Sequence, residues 1–108
     1  MNTLDALLQG TTPRLTITIP DSIPVSNISA LELSLTHKEQ TTLLHLADVD
    51  LDMEENAIIK TFSEAETLAM DPDYDLTWQL RIKVNNEIVG TQKSRIDIID
   101  LQSEEPIE

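Results

Sequence analysis

Cysteine is absent from this chain of 108 residues, and glycine occurs only twice. Without cysteine, neither a disulfide nor a thiolate metal site holds the fold together. Two glycines are too few for the glycine-rich loops that cradle phosphate groups. No apolar run approaches the roughly 20 residues that a helix needs to cross a bilayer. We therefore expect one domain that folds around its own hydrophobic core.

Basic residues are scarce as well, with seven Lys and Arg against 20 Asp and Glu and a formal net charge of −13. Proteins that bind nucleic acid gain most of their affinity by neutralising phosphates, so this charge argues against a nucleic-acid partner and also against an anionic membrane. Acidic character favours solubility, or alternatively docking onto basic partner surfaces. Because the first residues include Asp5 and no basic segment, we expect synthesis and folding in the cytoplasm.

The clearest pattern in the chain is the strict alternation of residues 74–84. Polar side chains occupy the odd positions and apolar side chains the even ones, namely Tyr74, Leu76, Trp78, Leu80, Ile82 and Val84. A period of two over eleven residues is typical of a strand with one buried face. This stretch holds the only Trp and the only Tyr of the chain, so we predict that it forms the central strand.

Shorter alternating stretches predict further strands at residues 13–19, 28–36, 41–46, 57–62 and 88–99. In the last of these, the simplest set of core-facing residues is Ile88, Gly90, Ser94, Ile96 and Ile98. The fold class that follows is all-β, an immunoglobulin-like antiparallel β-sandwich of about seven strands with one short helix.

Two short segments between the predicted strands have recognisable chemistry. Ser63 and Glu66 match a capping box, which predicts a short helix over residues 63–70. Asn85 and Asn86 tolerate positive φ and suit a tight hairpin. A strict two-residue loop there would place Arg95 opposite Leu76 and turn the arginine inward. We therefore expect a three-residue loop or a bulge near Gly90.

The termini are expected to lie outside the sandwich, which we place at residues 10–101. Residues 1–9 form an arm with helix-compatible spacing at Leu4, Leu7 and Leu8, which either frays or docks on a neighbouring subunit. Residues 102–108 form an acidic tail that we expect to be disordered.

No constellation of residues predicts a reaction or a cofactor. Asp48, Asp50 and Asp52 have the spacing of a calcium loop, but Met53 replaces its required Gly and Ile59 its bidentate Glu. His37 and His45 have no partner at ligand spacing, and Ser63 is better explained as a helix cap than as a nucleophile. We therefore predict no catalytic residues, no metal and no cofactor.

One surface feature points to a protein contact. Four basic residues occupy outward positions of the last two long strands, namely Arg81, Lys83, Lys93 and Arg95. They form a basic stripe that either contacts the acidic loop of a neighbouring copy, head to tail, or pairs across strands with Asp75 and Asp97.

Three segments, by their order and spacing along the chain, carry a family resemblance. They are residues 10–13 (Gly-Thr-Thr-Pro) before a strand, residues 56–70 with their Ser-Glu-Ala-Glu-Thr-Leu core, and residues 79–82 (Gln-Leu-Arg-Ile) before a turn. Over residues 10–100 the chain resembles the small immunoglobulin-like proteins encoded in the structural gene clusters of tailed bacteriophages and prophages. It is similar also to the N-terminal domain of the baseplate upper protein family. Lys60, the short hairpin turn and the first nine residues depart from the pattern.

This resemblance implies a virion structural protein of the tail, baseplate or head that is made in the host cytoplasm and decorates or builds the particle. Its partners are other virion proteins and further copies of itself, and the family supplies no catalytic residues. Two alternatives remain open at this point. A carbohydrate-binding or adhesive module would need exposed aromatic side chains, and an acidic DNA mimic would inhibit a basic enzyme.

Overall fold

The computed structural model describes residue 4 and residues 6–91 and 93–99. Nine strands and one α-helix follow one another in this part of the chain. The strands are β1 Ala6–Leu8, β2 Arg14–Thr18, β3 Ile28–His37, β4 Gln40–His45, β5 Asp50–Asp52, β6 Ala57–Thr61, β7 Leu76–Val84, β8 Glu87–Gly90 and β9 Ser94–Ile99. Helix α1 spans Glu64–Leu68, and 3₁₀ turns cover Val25–Asn27 and Leu46–Asp48.

The strands form two sheets. The larger has six strands in the order β1-β9-β7-β3-β4, with β8 also pairing with β7, and the smaller has the order β2-β6-β5. All pairs are antiparallel except β1 with β9. Immunoglobulin-like domains arrange their strands in this way, so the predicted all-β sandwich is confirmed. The described residues form nine strands where the alternation located six, because β1 and β5 were not predicted and residues 88–99 form two strands.

The centre of the larger sheet is β7, as its alternation predicts. Its even residues from Leu76 to Val84 are buried, and Trp78 is only 4% exposed. Tyr74 departs from the prediction because it precedes β7 and is 49% exposed. Its N–H donates to the carbonyl of Asp71 at 3.1 Å, which places Tyr74 in a turn and not in the sheet.

The core lies between the inner faces of the two sheets. The larger sheet contributes alternate residues of β3, β7 and β9, and the smaller sheet contributes alternate residues of β2 and the buried residues of β6. Completely buried side chains come from both sheets: Leu15, Ile58, Leu33 and Ile96. At about 25 cal/mol per Å² of apolar surface, this shared burial is the main force that holds the sheets together.

The hairpin between β7 and β8 decides which residues of the last two strands face inward. Asn85 and Asn86 form a two-residue turn with φ of 52° and 68°, and Val84 pairs with Glu87. The three-residue loop is therefore wrong. The predicted bulge is confirmed, because the pairing advances by one residue between β8 and β9 and sets Leu76 opposite Ile96.

The bulge corrects part of the predicted core set. Ile88 pairs with Lys83 and Gly90 with Arg81, so both lie on the outward side of the sheet, and Ile88 is 69% exposed. Val89, which pairs with the buried Ile82, lies on the inward side instead. Beyond the bulge the prediction holds, because Ile96 and Ile98 are buried and Ser94, which pairs with Trp78, is half-buried.

Helix α1 begins as predicted. Ser63 Oγ accepts from the N–H of Glu66 at 3.1 Å, and Glu66 Oε1 accepts from the N–H of Ser63 at 2.8 Å. Partial burial raises the pKa of Glu66, but the Ser63 N–H and the ammonium of Lys60 outweigh it and leave that pKa below its ordinary value. The ionised carboxylate of Glu66 therefore stabilises the start of the helix at neutral pH.

The N-terminal residues differ from the predicted arm. Ala6–Leu8 form a strand parallel to β9 and not a helical turn, and Leu7 is 2% exposed within the core of its own chain. Leu4 packs partly buried against the same core, and Leu8 alone points outward. Three residues gain more from hydrogen bonds to β9 and burial of Leu7 than from an isolated helical turn. The predicted acidic tail, residues 102–108, lies outside the described residues.

Candidate functional site: the outward side of the larger sheet

The four basic residues of the predicted stripe all lie on the outward side of the larger sheet or at its bulge. Arg81 and Lys83 extend from β7, Arg95 extends from β9, and Lys93 lies between β8 and β9; all four are exposed. We refer to this surface, the solvent side of β1, β9, β8, β7, β3 and β4, as the outer face. The alternation of β7 places its basic residues there, because the opposite side is buried.

The two arginines already have acidic partners within the chain. Arg95 Nε lies 3.5 Å from Oδ2 of Asp75, which directly precedes β7, and 3.8 Å from Oδ1 of Asp97. The contact with Asp75 crosses between strands as expected, whereas Asp97 lies two residues further along β9 itself. Arg81 Nη2 donates to Glu32 Oε1 at 2.9 Å. Sequence reasoning missed Glu32, because only the register between β3 and β7 sets it opposite Arg81.

The basic residues form two groups and not one continuous stripe. Arg95 lies opposite Thr77, whereas Arg81 lies four residues further along the same strand, which is about 13 Å away. Lys83 and Lys93 have no ion pair within the described residues. The unpaired positive charge of the outer face therefore lies at Lys93, between β8 and β9, and at Lys83, near the end of β7.

A shallow groove of about 250 Å³ lies beside Lys83. The pairing of β3 with β7 slips by one residue next to this groove, between Ile28 and Ala30. Polar and charged groups surround an exposed apolar side chain in the groove, whose lining includes Ala30, Glu32, His45, Arg81, Lys83 and Ile88. The groove joins apolar area to both signs of charge, which suits a protein surface better than a small molecule.

The far edge of the outer face is β4. Leu43 extends outward there and is 49% exposed, whereas Leu44 points inward and packs against the core. The sequence leaves this choice open, because both leucines are apolar. The two-residue turn between β3 and β4 fixes it by pairing His37 with Gln40 and Ser34 with Leu43.

The residues considered for metal binding or catalysis have local structural roles. Asp48 Oδ2 accepts from the N–H of His45 at 2.8 Å, and Asp52 Oδ1 accepts from the N–H groups of Glu54 and Glu55. Within residues 4–99, as far as they are described, no group of three potential ligands surrounds a common point.

His37 lies against the loop before β7. Its Nε2 accepts from the N–H of Asp71 at 3.2 Å. The Asp73 N–H, despite some desolvation, lowers the pKa of the Asp71 carboxyl, and Lys38 and His37 lower it further. This cluster fixes a loop and places no nucleophile beside the imidazole.

A second cavity, of about 440 Å³, opens between the two sheets. It lies between the end of β2 and the inner side of β7 and β8, and Trp78 forms part of its wall. Trp78 Nε1 is buried and has no hydrogen-bond partner among the described residues. The indole therefore contributes apolar packing and is not presented to solvent.

The chain matches no protein-family model, and no curated protein matches it either. The arrangement of its strands in two sheets defines its class as an all-β sandwich. In the part of the chain that the structure describes, no helix has the length and apolar character needed to cross a membrane.

Proposed function

We propose that this protein is a non-enzymatic structural component of a tailed-bacteriophage particle and acts through contacts with other virion proteins and with further copies of itself. Host synthesis in the cytoplasm and incorporation into tail, baseplate or head follow from this role. The phage part of the proposal rests on the resemblance described above, and the contact part rests on the outer face.

The observation that carries the contact part is the composition of the outer face. Large apolar side chains are exposed at Ile88 and Leu43, and Ile99 is exposed on the same side. They lie between charged groups of both signs, among which Arg81 and Glu32 are already oriented by their mutual hydrogen bond. A protein interface has this mixture of apolar anchors and pre-positioned polar groups.

The two alternative functions receive less support from the same surface. Sugar rings stack on exposed aromatic side chains, but Trp78 and Phe62 are buried, and the exposed Tyr74 already has the ammonium of Lys38 5.3 Å from its ring centre. A DNA mimic would present rows of acidic side chains, whereas the outer face carries Arg81, Lys83 and Arg95.

The direct test is the composition of purified particles. Virions from the host that encodes the chain are separated by density gradient, and the protein is quantified by mass spectrometry against the major tail and head proteins. We expect a fixed copy number per particle across the gradient peak. Presence of the protein in the lysate with none in the particles would refute the proposal.

A variant connects the particle test to the outer face. Ile88→Asp places a charge at an exposed apolar position of the groove, and Met53→Asp makes the same kind of change at an exposed position of the β5–β6 turn. Both variants should fold, because both side chains are exposed. We expect the first to lower incorporation into particles and the second to leave it unchanged.

A further inference from the structure

The edge strand β4 differs from the other strands that border the sheets. It has six residues, Gln-Thr-Thr-Leu-Leu-His, with no Asp, Glu, Lys, Arg or Pro. By contrast, β5 is three residues long and has Asp50 and Asp52, β2 begins with Arg14, and β1 has only three residues. Natural sheets protect their edges with charge, proline or short length, and β4 has none of these protections.

The backbone of β4 offers hydrogen bonds at defined positions. In an antiparallel hairpin with a two-residue turn, the pair that closes the turn is hydrogen-bonded, and the pairs then alternate. His37 and Gln40 close the turn, so the residues of β4 whose backbone groups point away from β3 are Thr41, Leu43 and His45.

Two contacts in the structure agree with this alternation. The hydroxyl oxygens of Thr36 and Thr41 are 2.9 Å apart, as expected for the closely spaced non-hydrogen-bonded type of pair. The N–H of His45 donates to Asp48 and not to β3. The outward backbone groups of Thr41 and Leu43 have no such partner within the described residues.

These outward positions are symmetric about Leu43, whose side chain is also half exposed. A twofold axis through Leu43 would set this residue opposite its own copy, with two backbone hydrogen bonds between the two leucines. It would also set Thr41 opposite His45, whose N–H already donates to Asp48 and does not take part in the pairing. We propose that β4 is a homodimer contact, in which two copies pair their β4 strands antiparallel and join their larger sheets into one continuous sheet.

The charges at the two ends of β4 favour this arrangement. Lys38 lies in the turn before β4, and Asp48 lies in the 3₁₀ turn after it. Antiparallel pairing brings Lys38 of one copy, which also lies 3.4 Å from its own Asp71, to the Asp48 end of the other copy. The opposite charges of Lys38 and Asp48 therefore meet twice across the axis, with one Glu39 beside each pair. The chain has a net charge of −13, but β4 itself has no Asp, Glu, Lys or Arg. Pairing two β4 strands therefore places no like charges of β4 opposite each other.

The hydrodynamic test uses the full chain. In sedimentation equilibrium we expect a concentration-dependent species of twice 12.1 kDa. Leu43→Lys sets two like charges opposite each other and should weaken the dimer at least about tenfold. Leu43→Pro should have a similar effect, because it removes an outward N–H without removing a hydrogen bond to β3.

The matched control is Met53→Lys, which adds the same charge at an exposed apolar position outside the outer face, in the turn between β5 and β6. It should leave the dimer unchanged. A monomer at every concentration of the unaltered protein, or equal weakening by the control, would overturn the proposal.

Because the chain has no cysteine, an engineered cysteine reports the register directly. Leu43→Cys should form a disulfide-linked dimer on mild oxidation, since opposed residues of an antiparallel pair lie within the usual Cα separation of a disulfide. Thr41→Cys should remain unlinked, because its own copy lies four residues away along the strand, about 13 Å. Equal crosslinking of both variants would contradict the twofold axis at Leu43.

This inference deepens the proposed assembly role, and the two fail in different ways. A protein that is monomeric but present in particles at a fixed copy number refutes the β4 contact and leaves the proposed function standing. A protein that pairs through β4 but is absent from particles refutes the proposed function and leaves the β4 contact standing.

Discussion

The two hairpins of the larger sheet have the same turn geometry and opposite turn chemistry. Asn85 and Asn86, between β7 and β8, adopt φ of 52° and 68°, and Lys38 and Glu39, between β3 and β4, adopt φ of 53° and 67°. Asparagine tolerates the left-handed region, whereas lysine and glutamate adopt it at a cost of roughly 1–2 kcal/mol per residue. The residues of the β7–β8 turn therefore favour the turn conformation, whereas the residues of the β3–β4 turn disfavour it.

Contacts with the loop before β7 stabilise the Lys38–Glu39 turn. Lys38 Nζ lies 3.4 Å from Asp71 Oδ2 and 5.3 Å from the centre of the Tyr74 ring. The adjacent His37 accepts from the N–H of Asp71. The loop before β7 thus holds an unfavourable turn in place, and the strand that follows, β4, keeps its register over all six residues.

The hairpin with the favourable turn is the one whose register breaks. After four paired residues of β8 the pairing advances by one residue, and β9 continues from the new register. Thr91 marks the break, since its N–H donates to the carbonyl of Leu80 at 2.9 Å and its Oγ1 accepts from the N–H of Leu80 at 3.1 Å. A favourable turn therefore fixes the register of the first residues of a hairpin. Burial of apolar side chains fixes the register of the residues beyond them.

The largest expected effect is that of charging the residue that burial holds in place beyond the bulge. Ile96→Asp puts a carboxylate at a completely buried position opposite Leu76. Since a buried unpaired charge alone costs several kcal/mol, we expect no cooperative unfolding transition by circular dichroism. Ile99→Asp, at an exposed position of the same strand, should keep the wild-type transition, and a cooperatively folded Ile96→Asp variant would show that burial of Ile96 does not fix the register of β9.

The next largest effect is a difference in unfolding free energy between variants on the buried and the exposed side of the β7–β8 hairpin. Ile82→Ala removes a buried side chain and should lower the free energy of unfolding by about 3 kcal/mol, whereas Ile88→Ala should change it by less than about 0.5 kcal/mol. Urea denaturation of both variants measures this difference. A large loss for Ile88→Ala would mean that the original prediction of an inward Ile88 was correct after all.

A smaller effect compares the turns themselves. Glu39→Gly relieves left-handed strain at the cost of a more flexible unfolded chain and should stabilise the protein by about 0.5 kcal/mol. Asn86→Gly relieves little strain and should have no stabilising effect. Melting temperatures of the two variants test this order, and equal shifts would show that the residue types of the two turns are equivalent.

The smallest effect concerns the contact behind the Lys38–Glu39 turn. The pKa of Asp71 is lowered from its ordinary value of 3.8, so its carboxylate stabilises the fold above that pH and loses this contribution as the pH falls through the lowered value. Asp71→Asn should therefore lower the melting temperature slightly at pH 7. The difference from the unaltered protein should shrink below about pH 4. A difference that grows in acid would contradict the sign.

Much of the fold and part of the candidate site follow from local patterns. Alternation places the even residues of β7 inward and Arg81 and Lys83 outward, and the pair of Ser63 and Glu66 marks the start of α1. The acidic partner of Arg81 has no such signal, because Glu32 lies 49 positions away in the chain. The same holds for Leu43, whose outward direction depends on the turn before it.

By itself, the sequence determined which side chains are hidden along each long strand, because a period of two is a property of neighbouring residues. Only the tertiary structure decided that Ala6–Leu8 join β9, that Tyr74 leaves the sheet and that one extra residue separates β8 from β9. Each of these outcomes depends on which distant strand lies alongside. That choice is made by the total surface buried when the sheets pack together.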